Sequence, residues 1–254
     1  MATENNQTAI ITGAAGGMGE AIARAFAEEG RPIILCDLHA GPLEELAKTL
    51  AGKTTVETVV GDVTAADYPA RIIAALGGRK IGVLAHAAGV SPSMADGKRV
   101  FEINFTATSR LVEGLLPYMA AGAAAILIAS NSGQMIARPF FDKALMKVIK
   151  GGNSLILNLM LRKSRMAYPM SKRAVQLYAK IMSPAFGKAG ARVVSLSPGM
   201  IDTSMGRLEQ KAGPEMDKMI AVTPLRRMGE PSEIASVVAF LASPAASYIS
   251  GTDI

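Results

Sequence analysis

Tyr168 and Lys172 stand four residues apart in Tyr168-Pro169-Met170-Ser171-Lys172, a spacing that puts both on one face of a helix. A tyrosine with an unperturbed pKa near 10 is a poor base at neutral pH. A lysine ammonium one turn away, together with a positively charged ring bound beside it, favours the phenolate. Such a tyrosine takes a proton from an alcohol as hydride leaves, or returns one to a carbonyl. Ser130 ends the apolar run Ala124–Ala129 and is the natural hydrogen-bond partner of the reacting oxygen. Asn104 lies mid-helix in Phe101-Glu102-Ile103-Asn104-Phe105, where its side chain competes for backbone hydrogen bonds, so a specific polar task is implied. Holding a water that links Lys172 to solvent is such a task. Alone, the Tyr-x-x-x-Lys match also describes a solvated helix face; the four groups together are the stronger signal.

Hydride transfer needs a carrier, and the N-terminal stretch has the form of a site for one. Thr8-Ala9-Ile10-Ile11 reads as a buried strand, Thr12-Gly13-Ala14-Ala15-Gly16-Gly17-Met18-Gly19 as a tight turn, and Glu20 to Gly30 as a helix closed by glycine. Strand, glycine turn and helix open a dinucleotide-binding βαβ unit. Gly13 turns the chain, Gly17 admits a pyrophosphate to the backbone, and Gly19 brings helix close to sheet. The helix N-terminus offers the phosphates unpaired N–H groups. The next strand, Pro32–Cys36, ends at Asp37, eighteen residues beyond Gly19, where a ribose 2′-hydroxyl is held. Glycines alone are equally read as a structural turn; the acidic partner separates the readings.

The remaining elements position these groups. A helical segment from Pro42 to Leu50 precedes a strand Val56–Val60, which stops at Gly61-Asp62-Val63. Asp62 has two readings: it faces the crevice and accepts from an adenine amino group, or it caps a helix starting at Thr64. A helix from Tyr68 to Leu76 leads to a strand Ile81–Ala85 and then His86-Ala87-Ala88-Gly89, whose small residues admit a ligand to the backbone. His86, one of two histidines, reads as a satisfied structural residue. A long helix is expected from Gly97 to Met119 before the strand that delivers Ser130. Residues 134–166 contain an amphipathic stretch Phe140–Ile149, a break at Gly151-Gly152-Asn153 and an apolar run Ser154–Leu161, the pattern of a lid, an oligomer contact or a membrane-surface patch. Tyr168 opens a helix to about Phe186 with Pro169 in its first turn. A strand Ala191–Leu196 ends at Ser197-Pro198-Gly199-Met200-Ile201-Asp202-Thr203, and a loop-helix region at about 204–223 is set to close over a site. A helix from Pro231 through Leu241 and a tail strand starting at Ser247 complete the chain. Seven strands alternating with helices predict an α/β fold: one Rossmann-type doubly wound parallel sheet with helices on both faces, forming a single domain over 1–254 with an insertion at about 134–166.

Composition agrees. Of 254 residues, half are hydrophobic and 19% charged, which excludes disorder. No apolar run reaches the roughly 18–20 residues of a membrane span. The polar N-terminus lacks a signal-peptide core and the lone Cys36 forms no internal disulfide, so a cytoplasmic location is expected. The net charge of +6 is spread over scattered basic residues, densest at Arg162-Lys163-Ser164-Arg165, with no nucleic-acid signature. No metal-ligand set is found.

On these residues the chain resembles the short-chain dehydrogenase/reductase family over essentially its whole length. The matching positions are Thr12, Gly13, Gly17 and Gly19; Asp62; Ala88-Gly89; Asn104; Ser130; Tyr168 and Lys172; Pro198-Gly199 and Thr203. The resemblance implies a catalytic tetrad of Asn104, Ser130, Tyr168 and Lys172. It also implies a cofactor site in which Ile201 and Thr203 meet the nicotinamide amide and phosphates, and which takes in Met18, Leu38 and Val63 beside Gly13, Gly17, Gly19, Asp37, Asp62, Ala88, Gly89, Tyr168, Lys172, Pro198 and Gly199. Three features depart from the pattern. His86-Ala87 replaces the family's usual Asn-Asn and weakens a structural hydrogen bond. Ser130 and Tyr168 lie 38 positions apart, farther than usual, and the added segment resembles the insertion of bacterial 3α-hydroxysteroid dehydrogenase/carbonyl reductases, which alters subunit association. That segment leaves Ser132 as a rival to Ser130, which is preferred because it stands three before Gly133. The sequence stops at Asp253-Ile254, short of the family's glycine-containing tail, as a truncated sequence or a disordered end would.

Asp37 repels a 2′-phosphate, and no Lys or Arg lies between Gly13 and Gly19 to offset it, so NAD(H) is expected over NADP(H). The resulting expectation is an NAD(H)-dependent oxidoreductase interconverting a secondary alcohol and a ketone. The apolar insertion and the Met-rich region after Thr203 point to a hydrophobic or cyclic substrate such as a hydroxysteroid. The alternatives are a 3-oxoacyl-carrier-protein reductase, which Asp37 disfavours, and a non-catalytic redox sensor, which a complete tetrad disfavours. The expected partners are a small alcohol or ketone and copies of the same chain in a homodimer or homotetramer.

Overall fold

A computed structural model describes residues 7–211 and 215–254, and in it the short apolar runs become strands with side chains alternately on either side of one sheet. β1 (Thr8–Thr12) leads into α1 (Gly17–Glu28), β2 (Ile33–Asp37) into α2 (Ala40–Leu50), and β3 (Val56–Val60) into α3 (Tyr68–Leu76). β4 (Ile81–His86) is followed by α4 (Gly97–Phe101), a π-helical turn (Glu102–Thr106) and α5 (Ala107–Leu115). β5 (Met119–Ile128) is followed by α6 (Asn131–Met135), α7 (Pro139–Ile149), α8 (Leu155–Met160) and α9 (Ser164–Lys188). After β6 (Arg192–Leu196) come α10 (Ser204–Lys211), α11 (Glu215–Val222) and α12 (Pro231–Ala242).

The strands pair in the order β3-β2-β1-β4-β5-β6, all parallel. Ile10, Ile34, Leu84 and Leu127 pack on one face with Ile72, Val112 and Val175 from α3, α5 and α9. Their neighbours Ile11, Leu35, Val83 and Ile126 pack on the other with Ile22, Leu46 and Val238 from α1, α2 and α12. Burial on both faces is why these strands read as continuous apolar runs. The order reverses between β1 and β4, so a crevice opens beyond Thr12 and His86 at their C-terminal ends. The fold is the expected doubly wound one.

Four local expectations fail. The tail forms no seventh strand from Ser247: Pro244–Ala246 is a 3-10 turn, and Gly251 (φ +69°) turns the chain. Gly251 itself donates to the Val193 carbonyl (2.7 Å), and Thr252 and Ile254 then hydrogen-bond Ser195, giving one parallel bridge. The helix expected over 97–119 is interrupted by the π-helical turn around Asn104, and β5 begins at Met119 rather than Ala124. The helix bearing Tyr168 starts at Ser164, so Pro169 lies past its first turn. There it leaves the Arg165 carbonyl without its usual donor, a loss tolerated beside a functional segment. No helix begins at Thr64; α3 starts at Tyr68, behind Asp67.

Candidate active site

Helix α9 builds the centre of the site by repetition. Tyr168, Lys172 and Gln176 follow at intervals of four and face the C-terminal end of β5. The Lys172 ammonium donates to the Ile128 carbonyl (3.0 Å), and the Gln176 amide donates to the Ser130 carbonyl (3.1 Å) and Ser197 Oγ (2.9 Å). Ser130, extended at the N-cap of α6, accepts from the Ser132 amide and from Ser132 Oγ (3.0 Å), while its side chain lies close enough to Tyr168 to act on the phenol. Ser130 thus meets the tyrosine, and Ser132 orients Ser130.

Burial sets the charges. Lys172 is 6% exposed, and desolvation brings its ammonium down to about 8. Its Nζ lies 5.8 Å from the centre of the Tyr168 ring. Burial raises the Tyr168 phenol above its ordinary value, the Ser130 side chain opposes this, and the Glu209 charge adds to it. The chain's own groups therefore keep the phenol protonated.

Asn104 is 1% exposed because the π-helical turn swings it inward. Its Oδ1 accepts from the Val90 amide (2.8 Å) and its Nδ2 donates to the Val90 carbonyl (3.0 Å) and Ser171 Oγ (3.2 Å). It therefore ties the loop after β4 to α9. A Cβ on Gly89 would lie 3.1 Å from Asn104 Oδ1 and 3.5 Å from Lys172 Nζ, so the two groups face each other across that glycine.

His86 bridges the same region. The Ala88 amide donates to Thr12 Oγ1, which is 2.8 Å from His86 Nδ1, and His86 Nε2 is 2.8 Å from Thr108 Oγ1, which donates to the Asn104 carbonyl. This order assigns the proton to Nε2. Burial, and then the Lys172 charge, bring His86 down to about 3, so the ring is neutral. His86 is thus a satisfied structural residue, as its type and place predict.

The crevice beyond this cluster has a volume of about 480 Å³ and is lined by Gly13, Gly17, Met18, Gly19, Asp37, Leu38, Asp62, Val63, Ala88, Gly89 and Thr203 among others. Gly13 has φ +67°, and a Cβ there would lie 2.8 Å from the Ala88 nitrogen; one on Gly17 would lie 2.9 Å from Thr203 Cγ2. Side chains at either position would fill the cradle. The Asp37 carboxylate accepts from the Ala15 and His39 amides (3.0 Å each), one per oxygen, and keeps lone pairs for a ligand. Asp62 caps the local turn through Thr64 N and Oγ1 and pairs with Arg99 (2.6 Å). Burial would raise its carboxyl, but these hydrogen bonds and the Arg99 charge outweigh it and hold it low. Of the expected cofactor-site residues, Tyr168, Lys172, Pro198, Gly199 and Ile201 do not line this cavity: Lys172 stands behind Gly89 with Tyr168 one helical turn away, Pro198 accepts from the Asn131 amide beside Ser130, and Ile201 bridges Gly229.

A family model described as short chain dehydrogenase matches residues 7–140, and one described as Enoyl-(Acyl carrier protein) reductase matches 153–254. The chain belongs to the short-chain dehydrogenase/reductase family. A galactitol 2-dehydrogenase (L-tagatose-forming) from Cereibacter sphaeroides is 32% identical, over 96% of this chain and 90% of its own. A D-threitol dehydrogenase from Mycolicibacterium smegmatis is 30% identical, over 98% and 91%. Among solved structures, a short-chain dehydrogenase/reductase (SDR:Glucose/ribitol dehydrogenase) from Brucella melitensis matches with a TM-score of 0.80 at 30% identity, over 98% and 94%.

As a short-chain dehydrogenase/reductase the chain is an oxidoreductase of a family that binds nicotinamide dinucleotides. The residues present fit such a group: the glycine cradle leaves room for it, and Asp37 turns open lone pairs toward it. No residue of 134–166 lines the crevice. That segment buries Leu145, Leu157 and Leu161, exposes Leu155, Ile156 and Leu159, and ties Asp142 to Arg173 of α9 (2.7 and 2.8 Å). Among the described residues, no three His, Cys, Asp or Glu side chains gather to hold a metal, and no helix is long and apolar enough to cross a membrane. Arg99, Gln176 and Glu209 join the site unannounced by the sequence. None belongs to a short motif, and each is recognisable only once distant segments meet.

Proposed function

We propose that this short-chain dehydrogenase/reductase interconverts a secondary alcohol and a ketone with NAD(H). One observation carries the reading: Tyr168 stands with Ser130 one helical turn from a buried Lys172, whose ammonium lies against Gly89 in the wall of a crevice that also holds Asp37. Tyr168 takes the alcohol proton and returns it in the reverse direction. Ser130 hydrogen-bonds the reacting oxygen and orients it. Lys172, cationic below about pH 8, favours the phenolate and holds the ribose. Asn104 fixes the loop at Val90 and, with Lys172 facing it across Gly89, frames the place for a relay water. Gly13, Gly17, Met18, Gly19 and Thr203 would hold the pyrophosphate, Asp37 and Leu38 the ribose, Asp62 and Val63 the adenine, and Ala88, Gly89, Pro198, Gly199 and Ile201 the nicotinamide half. The bound dinucleotide supplies the hydride acceptor.

For the substrate, a hydroxylated small alcohol is the first reading, because Ser91, Ser93 and Glu209 gather beside Val90 and Leu208 of the crevice wall and relatives include galactitol and D-threitol dehydrogenases. A hydrophobic, cyclic alcohol such as a hydroxysteroid is the second, carried by Met94, Met205 and Leu208 on the crevice wall. The test is NADH formation from NAD⁺ with sugar alcohols, alicyclic alcohols and a 3-hydroxyacyl thioester, for the wild type beside Tyr168→Phe. Turnover is expected to fall by at least about a thousandfold in the variant while NADH still binds. A variant as active as the wild type overturns the mechanism. Tight NADH binding with no turnover of any substrate would favour a redox sensor instead.

A further inference from the structure

Glu209 is a carboxylate whose charge adds to the rise of the Tyr168 phenol. It projects from α10, which follows the crevice residue Thr203, and reaches across to the loop after β4. There Ser91 Oγ donates to its Oε1 (2.6 Å), as do the Ser93 amide (3.3 Å) and the Ser93 hydroxyl. All three donors converge on one oxygen. Oε2 accepts no hydrogen bond from the described residues, and the side chain is half-buried. Burial would raise this carboxyl, but the Ser91 and Ser93 hydrogen bonds and the Arg165 charge prevail and hold it low, so it is ionised at neutral pH.

The second oxygen of a half-buried carboxylate, with its lone pairs open and its twin fixed by Ser91 and Ser93, is an acceptor waiting for a donor. Ser91 directly follows Val90 and Glu209 directly follows Leu208, and both Val90 and Leu208 line the crevice, so the anchored carboxylate stands beside its wall. Resting on the alcohol-oxidation reading above, we infer that Glu209 is a specificity-determining residue whose Oε2 accepts a hydrogen bond from a substrate hydroxyl next to the carbon that is oxidised. The chemistry selected is a polyhydroxylated alcohol. A substrate with one hydroxyl leaves the carboxylate desolvated and unpaired, a penalty that discriminates more strongly than lost apolar contact.

Glu209→Gln is the discriminating variant. With its carbonyl in place of Oε1 it still accepts from Ser91 and Ser93, so the crossing survives, while a neutral N–H₂ replaces the open oxygen. The measurement is kcat/KM with NAD⁺ for D-threitol and galactitol against butan-2-ol, in the wild type, Glu209→Gln and Glu209→Leu. The wild type is expected to favour the polyols. Glu209→Gln is expected to lower the polyol-to-butan-2-ol ratio roughly tenfold, as the loss of one charge-assisted hydrogen bond requires, and Glu209→Leu to lower it further. An unchanged ratio in both variants, whether or not absolute rates fall, means that Glu209 only braces α10 and overturns the inference while leaving the alcohol chemistry intact. A wild type with no Tyr168-dependent turnover of either class overturns the underlying reading.

Discussion

A lysine buried to 6% exposure is a cost to the fold, and at Lys172 that cost is visible in the descent of its ammonium from the 10.5 of a free lysine to about 8. The corresponding penalty is about 3 kcal/mol while the charge persists. One hydrogen bond to Ile128 and the Tyr168 ring offset part of it. Lys172→Met fills similar volume without the charge, so it is expected to stabilise the cofactor-free protein by about 1–3 kcal/mol at pH 7 in urea unfolding, while abolishing turnover. The sign with pH follows from the depressed value. Below about pH 8 both folded and unfolded chains are protonated and the penalty is complete. Between about 8 and 10.5 the folded chain releases its proton first and the penalty fades. The advantage of the Met variant should therefore shrink from pH 7 to pH 10. A destabilised variant, or an advantage that grows with pH, would show that the ammonium is better compensated than its burial implies.

At the scale of elements, α9 acts as a ratchet against the end of β5, its side chains four apart each gripping a different carbonyl or hydroxyl there. Gln176 is the rung that holds Ser130 from behind, 4% exposed, with its amide shared between the Ser130 carbonyl and Ser197 Oγ. Gln176→Leu removes one of the two donors to the Ser130 carbonyl, which keeps the Gly133 amide, and the donor to Ser197 Oγ, which keeps its bond to Asp253. It is expected to lower stability by about 1–3 kcal/mol and kcat by roughly tenfold, with the NADH dissociation constant nearly unchanged; a variant with wild-type kcat would show that Ser130 needs no such support. The Tyr-x-x-x-Lys match is legible because two unusual residue types recur at a helical interval. Gln176 on the same face is not, since a glutamine in a helix looks like a solvated residue until a strand end is set against it. Asn104 lies between: its type marks it as out of place in a helix, but the π-helical turn that swings it inward depends on contacts with Val90 and Ser171 that no local pattern encodes.

For the whole molecule, the sheet order and its crevice follow from alternation of buried runs with helices and from the handedness of parallel crossovers, so fold and cofactor end were readable from the first forty residues onward. Segments without periodic burial were not. The tail waits for Gly251 before pairing, and the 134–166 segment turns apolar side chains both inward and outward, leaving the crevice to others. Cofactor preference is a property of this larger arrangement. Asp37 stands at the end of β2 with both oxygens fixed by backbone amides, and the nearby Arg99 is already paired with Asp62 and Glu102. A 2′-phosphate brought within about 4 Å of the Asp37 carboxylate meets a repulsion of about 4 kcal/mol per pair of unit charges at an effective dielectric near 20, with no free cation from the glycine turn to cancel it. NADH is therefore expected to bind at least about a hundredfold more tightly than NADPH in a fluorescence titration. Asp37→Asn keeps an oxygen for the Ala15 amide and removes the charge, so it should narrow that ratio chiefly by strengthening NADPH. Its dependence on salt separates the causes: the wild-type preference should weaken as ionic strength rises and that of Asp37→Asn should not. A wild type that binds NADPH as tightly as NADH would mean that Arg99 leaves Asp62 to meet the phosphate, and would reverse the assignment of this end of the crevice.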